Sequence, residues 1–183
     1  MNTTGNKLTD SIGGIEATLS GAPTISNNQI VFTENNNFSF DITSLKLATK
    51  NRTLRVKFTP TTLDDTTKCV CTIGASATSW SQQTSSYITN TNLIIQHGGS
   101  AINNITVGST TSGDDSNRLP NVPSINTEYE IVISENASTN KIRWFVNGTL
   151  AQDGTTTLYN PLFLANTEGS GRFIGSYSLI EIY

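Results

Sequence analysis

The chain is poor in charged residues, cysteine and histidine, and it lacks long apolar runs. Charged residues make up 14% of its 183 residues, with a net charge of −3. Nucleic-acid-binding domains normally carry a basic patch or excess, so we expect no nucleic-acid partner. No apolar run approaches the about 20 residues of a membrane-spanning helix, and the first residues lack the apolar segment of a signal peptide. We therefore expect a protein made in the cytoplasm, without membrane insertion.

The only two cysteines, Cys69 and Cys71, stand two positions apart in a predicted strand. At that spacing their side chains share one face and their Cα atoms lie about 6.6 Å apart, near the upper limit for a disulfide. We predict two reduced thiols in the core, since unpaired cysteine is usually buried. The alternative is half of a thiolate metal site. It lacks nearby partners, because the one histidine, His97, is remote in sequence.

Uncharged polar residues dominate instead. The chain contains 29 Thr, 20 Asn and 20 Ser. Threonine favours strands, whereas asparagine and serine favour turns. This composition indicates an all-β protein with many loops.

The clearest local signal is the stretch KIRWFVNGTLAQDG near the end of the chain. Its apolar residues alternate at Ile142, Trp144 and Val146, and the pair Asn147-Gly148 follows. Alternation with period two gives a strand one buried face, and Asn-Gly accepts the positive φ angles of a type I′ turn. The stretch predicts a β-hairpin with Trp144 in the core.

The rest of the chain reads as short strands separated by turn residues. About a dozen strands are predicted at the spacing typical of a sandwich, and no segment keeps a helical period. The clearest of the other strands are 29–33, 38–42, 53–59, 69–75, 93–97, 101–107, 128–134, 161–165 and 179–183. We predict one domain over 1–183, an all-β, two-sheet antiparallel β-sandwich of jelly-roll type. Residues 1–14 are polar and form a candidate anchoring segment outside it, held by the sheet or, as we favour, by a partner chain.

The last third resembles the concanavalin A-like lectin/glucanase superfamily, in its laminin G-like branch. The matching parts are a strand at 128–134, an aromatic strand ending in Asn-Gly at 141–148, a short apolar strand at 161–165 and the Gly-rich turn with its terminal strand at 171–183. In the first half, only LTDSIGG and QIVFT fit. The resemblance implies a concanavalin A-like sandwich. Its members include glucanases, lectins, protein-binding modules and virion surface proteins, so the fold does not choose among these functions.

The resemblance also defines what catalysis or calcium binding would require. Glucanases of this superfamily carry a Glu-x-Asp-x-x-Glu run that supplies nucleophile and acid. The chain has none, and its nearest substitute is the pair Glu128 and Glu130. We therefore predict no catalytic residues and no enzyme activity.

Laminin G-like domains sometimes bind calcium at a rim, and loop carboxylates suit this ion. No cofactor is expected, with calcium as the open alternative; its candidate ligands are Asp64, Asp65, Asp114 and Asp115.

A lectin site needs an exposed aromatic ring to stack on a sugar and polar groups for its hydroxyls. Trp80 and Tyr87 lie in a polar stretch and are candidates, although loop aromatics often serve as anchors instead. Phe145, on the outer face of the hairpin beside Arg143, is the other candidate. The sequence therefore predicts sugar contacts from these four residues.

Two function classes follow. The first is a non-catalytic virion surface protein, such as a phage capsid decoration, head-fibre or tail component, located on the virion and partnered by other virion proteins or copies of itself. It would adhere to host-surface glycans. The second is a carbohydrate-binding, lectin-like module of a cell-surface or secreted system. The missing export signal favours the first, because a virion leaves its cell by lysis.

Overall fold

The computed structural model describes residues 2–4, 7–9, 14–46, 51–62, 68–74, 91–96, 104–108, 124–139, 141–155, 163–166 and 173–182. These residues form fifteen strands and one 3-10 turn, Thr43–Leu45. The strands are β1 (Asn2–Thr4), β2 (Lys7–Thr9), β3 (Glu16–Ser20), β4 (Thr24–Ser26), β5 (Gln29–Phe32), β6 (Asn37–Asp41), β7 (Arg52–Pro60), β8 (Lys68–Gly74), β9 (Thr91–Gln96), β10 (Asn104–Gly108), β11 (Tyr129–Asn136), β12 (Lys141–Val146), β13 (Thr149–Thr155), β14 (Phe163–Ala165) and β15 (Gly175–Ile182). None of the described segments is a helix long and apolar enough to cross a membrane.

The strands form two antiparallel sheets. The first has eight strands in the order β1-β2-β3-β6-β14-β8-β9-β10, and the second has seven in the order β13-β12-β11-β7-β15-β5-β4. Buried residues of both sheets belong to one apolar cluster. The predicted two-sheet antiparallel sandwich is therefore confirmed.

Strict alternation places β7 at the centre of the second sheet. Every second residue from Arg52 to Pro60 is buried and the residues between are half-buried. Leu54, Val56 and Phe58 face the first sheet at 3% exposure or less. The intervening side chains point away from the core, because successive strand residues face opposite sides. The polar face of this strand is therefore fixed by its apolar one.

The predicted hairpin is present. β12 and β13 pair antiparallel on either side of Asn147 and Gly148, whose φ angles are 47° and 78°. Two positive φ angles are what a type I′ turn requires. Trp144 is 2% exposed, in the core as predicted.

The start of the chain is held by the first sheet, which is the alternative to the favoured partner chain. Residues 2–4 and 7–9 do not stand apart from the sandwich: β1 pairs with β2, and β2 pairs with β3. They add two edge strands to the first sheet. Binding of a partner chain to this edge of the sheet stays a prediction. Strand β4 was also missed, because its three residues are all exposed and carry no alternation.

The two cysteines do not sit on an uninterrupted strand. Against β9, the register of β8 shifts between Cys69 and Cys71, so Val70 is the additional residue of a β-bulge. Val70 and Cys71 are consecutive, yet both are fully buried. Cys71 is a buried thiol, as predicted. The side chain of Cys69 lies outside the described set, so its burial stays a prediction, but the alternation used to pair it with Cys71 does not hold.

Candidate functional site

The outer face of the second sheet displays the two sequence-predicted sugar contacts that the structure describes. Trp144 points into the core, while Arg143 and Phe145 on either side of it face outward. Phe145 is half-buried and does not belong to the core cluster. Arg143 is exposed, and its Nε donates to Asp153 Oδ2 of β13 at 3.0 Å. The prediction that these two residues share an open face is confirmed; their role in binding is not thereby tested.

Phe145 belongs to a row of side chains that crosses the face. It pairs with Leu150 of β13 on one side and with Val132 of β11 on the other. Val132 pairs in turn with Arg55, and Arg55 pairs with Glu181. We call these five residues the outer row. Along it the surface changes from apolar, with Leu150 50% exposed, to charged at Arg55 and Glu181.

Four side chains form a charged cluster at the polar end of this row: Arg55, Lys57, Glu130 and Glu181. Arg55 Nε and Nη2 lie 2.7 and 2.6 Å from Glu130 Oε1. Its Nη1 donates to Glu181 Oε2 at 3.2 Å, and Lys57 Nζ lies 3.6 Å from Glu130 Oε1. Each of the four retains between 25% and 34% exposure. The cluster is therefore held together by ion pairs and remains accessible from solvent.

A bulge in β15 places Glu181 in this cluster. Against β7, the register of β15 shifts between Tyr177 and Leu179, which makes Ser178 the additional residue. Without the shift, Tyr177 and Glu181 would share a face, since they are an even number of positions apart. With it, Tyr177 is buried while Glu181 faces outward beside Arg55. The bulge reorients the polar side chains of the terminal strand, as bulges commonly do at functional surfaces.

Ion pairing sets the protonation states within the cluster. The hydrogen bond from Arg55 lowers the pKa of Glu130 most; desolvation opposes it, and the charges of Arg55 and Lys57 lower the pKa further. The hydrogen bond to Glu130 raises the pKa of Arg55. Glu130 and Arg55 are thus both ionised at neutral pH. The cluster can accept hydrogen bonds through carboxylates and donate them through guanidinium and ammonium groups.

The remaining predicted site residues lie outside the described part of the chain. These are the aromatic pair Trp80 and Tyr87 and the aspartates Asp64, Asp65, Asp114 and Asp115. Within the described ranges, no group of three or more His, Cys, Asp or Glu side chains is arranged to hold a metal ion. Calcium binding and the loop stacking site remain predictions.

Sequence reasoning missed the two non-local charge arrangements. The predicted strand 128–134 stops one residue before Glu135, but β11 continues to Asn136 and Glu135 is 3% exposed. It forms a buried ion pair with Arg52 of β7, its register partner. The signal was available in the alternation of Ile131, Ile133 and Glu135. By contrast, the neighbours of Arg55 depend on the order of β11, β7 and β15, which local patterns do not reveal.

Comparison with known proteins supports the fold. No protein-family model matches the chain, and no curated protein sequence matches it. Among solved structures, domain 4 of AbnA, a GH43 extracellular arabinanase from Geobacillus stearothermophilus, in complex with arabinotriose, matches with a TM-score of 0.69 and 14% identity, over 97% of this chain and 87% of that one. Trypanosoma rangeli sialidase, in complex with 2,3-difluorosialic acid, matches with a TM-score of 0.77 and 12% identity. The chain corresponds to 29% of the length of the sialidase.

A third neighbour is the alginate lyase AlgAT5 from polysaccharide lyase family 7. It matches with a TM-score of 0.53 and 12% identity, over the whole of this chain and 84% of that one. All three neighbours belong to carbohydrate-active proteins, and the shared β-sandwich is consistent with the predicted concanavalin A-like fold. At these identities, the likeness establishes the fold alone.

Proposed function

We propose that this chain is a non-catalytic carbohydrate-binding module of lectin type, with the outer face of the second sheet as its binding surface. The observation that carries the proposal is the outer row. An aromatic ring, Phe145, lies on an open sheet face in register with two charged side chains, Arg55 and Glu181. A sugar has an apolar ring face and a polar rim, and sites that bind it combine aromatic and hydrogen-bonding side chains in this way.

The structural neighbours support the same choice. Domain 4 of AbnA matches this chain over most of both lengths and is described with arabinotriose bound. The neighbours reported above are domains of carbohydrate-active proteins, and none of them is a virion protein. They favour the lectin-like alternative over the virion-surface role, which stays a prediction together with its location and its partners.

The charged cluster supports a binding role over a catalytic one. Glycoside hydrolysis requires a carboxylic acid that can donate a proton to the leaving group, usually one with a raised pKa. Glu130 has the opposite perturbation, because the Arg55 hydrogen bond lowers its pKa. Glu128, the other acid of the nearest pair in sequence, lies before β11 and accepts a hydrogen bond from Ser178 Oγ at 2.7 Å. We therefore assign neither residue a role in bond cleavage.

A glycan array tests the proposal. The wild-type protein should bind a subset of the glycans, and Phe145→Ala should lose that binding while Phe145→Tyr retains it. Ile25→Ala is a control, because Ile25 is an exposed apolar residue of the same sheet but lies in β4, at its opposite edge. Binding that survives Phe145→Ala unchanged, or no binding to any glycan, would overturn the proposal.

A further inference from the structure

We infer that the outer row and the charged cluster at its end select uncharged glycans, bound across the strands with their hydroxyls donating hydrogen bonds to Glu130 and Glu181. This inference rests on the proposed function and specifies its ligand class. It follows from how the charges of the outer face are paired and from which oxygens that pairing leaves open.

The cations nearest the outer row are already matched by anions. Arg55 and Lys57 are paired with Glu130 and Glu181, and Arg143 is paired with Asp153. Three cations thus face three carboxylates beside the row, so its immediate surroundings present no surplus positive charge to an acidic sugar; Lys141 shares the face but stands four residues from Phe145 along β12. A ligand carboxylate would have to displace a protein carboxylate from its cation or stand beside it, and like charges at contact distance disfavour binding.

The pairing leaves one oxygen open on each carboxylate of the charged cluster. Both cations reach Glu130 through Oε1, and Arg55 reaches Glu181 through Oε2. No residue in the described part of the chain donates to Glu130 Oε2 or to Glu181 Oε1. A carboxylate oxygen accepts but cannot donate a hydrogen bond. The complementary ligand groups are therefore donors, and hydroxyls are the donors that every uncharged sugar carries.

The geometry of the row sets the direction of the ligand. Three strand intervals separate Phe145 from Glu181, which amounts to about 14 Å at the usual spacing between strands. That span exceeds one sugar ring. An oligosaccharide lying perpendicular to the strands would place one ring on Phe145 and Val132 and the hydroxyls of a later ring at Arg55 and Glu181. Chains longer than a single sugar should consequently bind more tightly than the monosaccharide.

Two isosteric substitutions test the charge argument. Glu130→Gln and Glu181→Gln each leave a cation of the face without its full complement of negative charge, and each replaces a charged acceptor by a neutral one. Hydrogen bonds to charged groups are stronger than those between neutral groups. We expect each variant to bind uncharged oligosaccharides about tenfold more weakly, a loss of the size expected from this difference, and to gain salt-sensitive binding to an acidic glycan.

The experiment is affinity electrophoresis and calorimetry with arabino-oligosaccharides and linear β-glucan as uncharged probes, and alginate and a sialylated glycan as acidic ones. Glu16→Gln is the control, because it removes the same charge from an exposed position in β3 of the first sheet. The wild type should bind at least one uncharged probe, prefer its oligomers to the monomer and ignore the acidic probes.

The outcomes separate this inference from the proposed function. Acidic glycan binding by the wild type that is lost in Phe145→Ala would overturn the inference and leave the outer face as the sugar site. Glycan binding that is unchanged in Phe145→Ala would overturn both the inference and the proposed function. If Glu130→Gln and Glu181→Gln bind uncharged glycans as strongly as Glu16→Gln does, the role assigned to the carboxylates is also contradicted.

Discussion

The hydroxyl of Tyr177, in the second sheet, donates a hydrogen bond of 2.6 Å to the carbonyl oxygen of Val70, in the first. Val70 is the additional residue of the bulge in β8, and a bulge locally interrupts the ladder of backbone hydrogen bonds. The Tyr177 ring also packs edge-on against Phe32 and Phe38, with centroids 5.2 and 5.7 Å away. One side chain thus fills the core and supplies a buried carbonyl with a donor.

Tyr177→Phe should therefore destabilise the protein while leaving its core packing intact. The substitution leaves the Val70 carbonyl without this donor in a buried site, which costs about 1–3 kcal/mol. Equilibrium denaturation measures the loss. Tyr129→Phe is the matched control, because the Tyr129 hydroxyl accepts only an exposed hydrogen bond from the Ser124 N–H among the described residues. Equal losses in both variants would contradict the bridging role.

Adjacent aromatic residues of β12 should differ in their contribution to stability. Trp144 is in the core and Phe145 is on the outer face. Trp144→Ala should lower the free energy of unfolding by about 3–5 kcal/mol, the usual range for emptying a large core position, and Phe145→Ala by much less. Urea denaturation of both variants checks this difference. Similar losses would mean that the facing of β12 is wrong.

The buried pair of Arg52 and Glu135 should show strong coupling. Removing one partner leaves the other charge buried, which typically costs about 3–5 kcal/mol. We expect that range for Glu135→Leu alone and a much smaller loss for Arg52→Met combined with Glu135→Leu, because apolar replacement of both partners is often nearly neutral. A double-mutant cycle measures the coupling. Additive losses would contradict it.

Glu130 should make stability depend on pH on the acid side. Its pKa in the folded protein is lowered, first by the hydrogen bond from Arg55, so its stabilising effect is present above the usual glutamate pKa of about 4.3. That effect is lost as the pH falls through the lower folded value. The stability difference between wild type and Glu130→Gln should shrink over that interval in denaturation series at successive pH values. A difference that stays constant, or grows on acidification, would contradict the pairing.

Local patterns predicted the elements of the fold better than their arrangement. The hairpin around Asn147-Gly148 was predictable because alternation and turn chemistry agree within ten residues. The bulges at Val70 and Ser178 were not, because an additional strand residue has no local signature when both neighbours are compatible with a strand. Each bulge changes which face the following residues occupy.

The candidate site was predictable only in part, for the same reason. Arg143 and Phe145 follow from the alternation of a single strand. The charged cluster depends on β7 lying between β11 and β15, and these strands are far apart in sequence. Arg52 and Glu135 occupy core-facing positions of their strands, where charged residues are normally rare unless paired. Predicting that they pair requires the register between β7 and β11, which the sequence of neither strand reveals by itself.

An NMR titration of ¹⁵N-labelled protein with the uncharged oligosaccharide that binds most tightly would locate the glycan site directly. We expect the perturbed amides to lie in β12, β11, β7 and β15, around Phe145, Val132, Arg55 and Glu181, and Phe145→Ala to abolish the perturbations. Perturbations confined to the first sheet, or to the stretch that contains Trp80 and Tyr87, would contradict the assignment of the outer face as the glycan site.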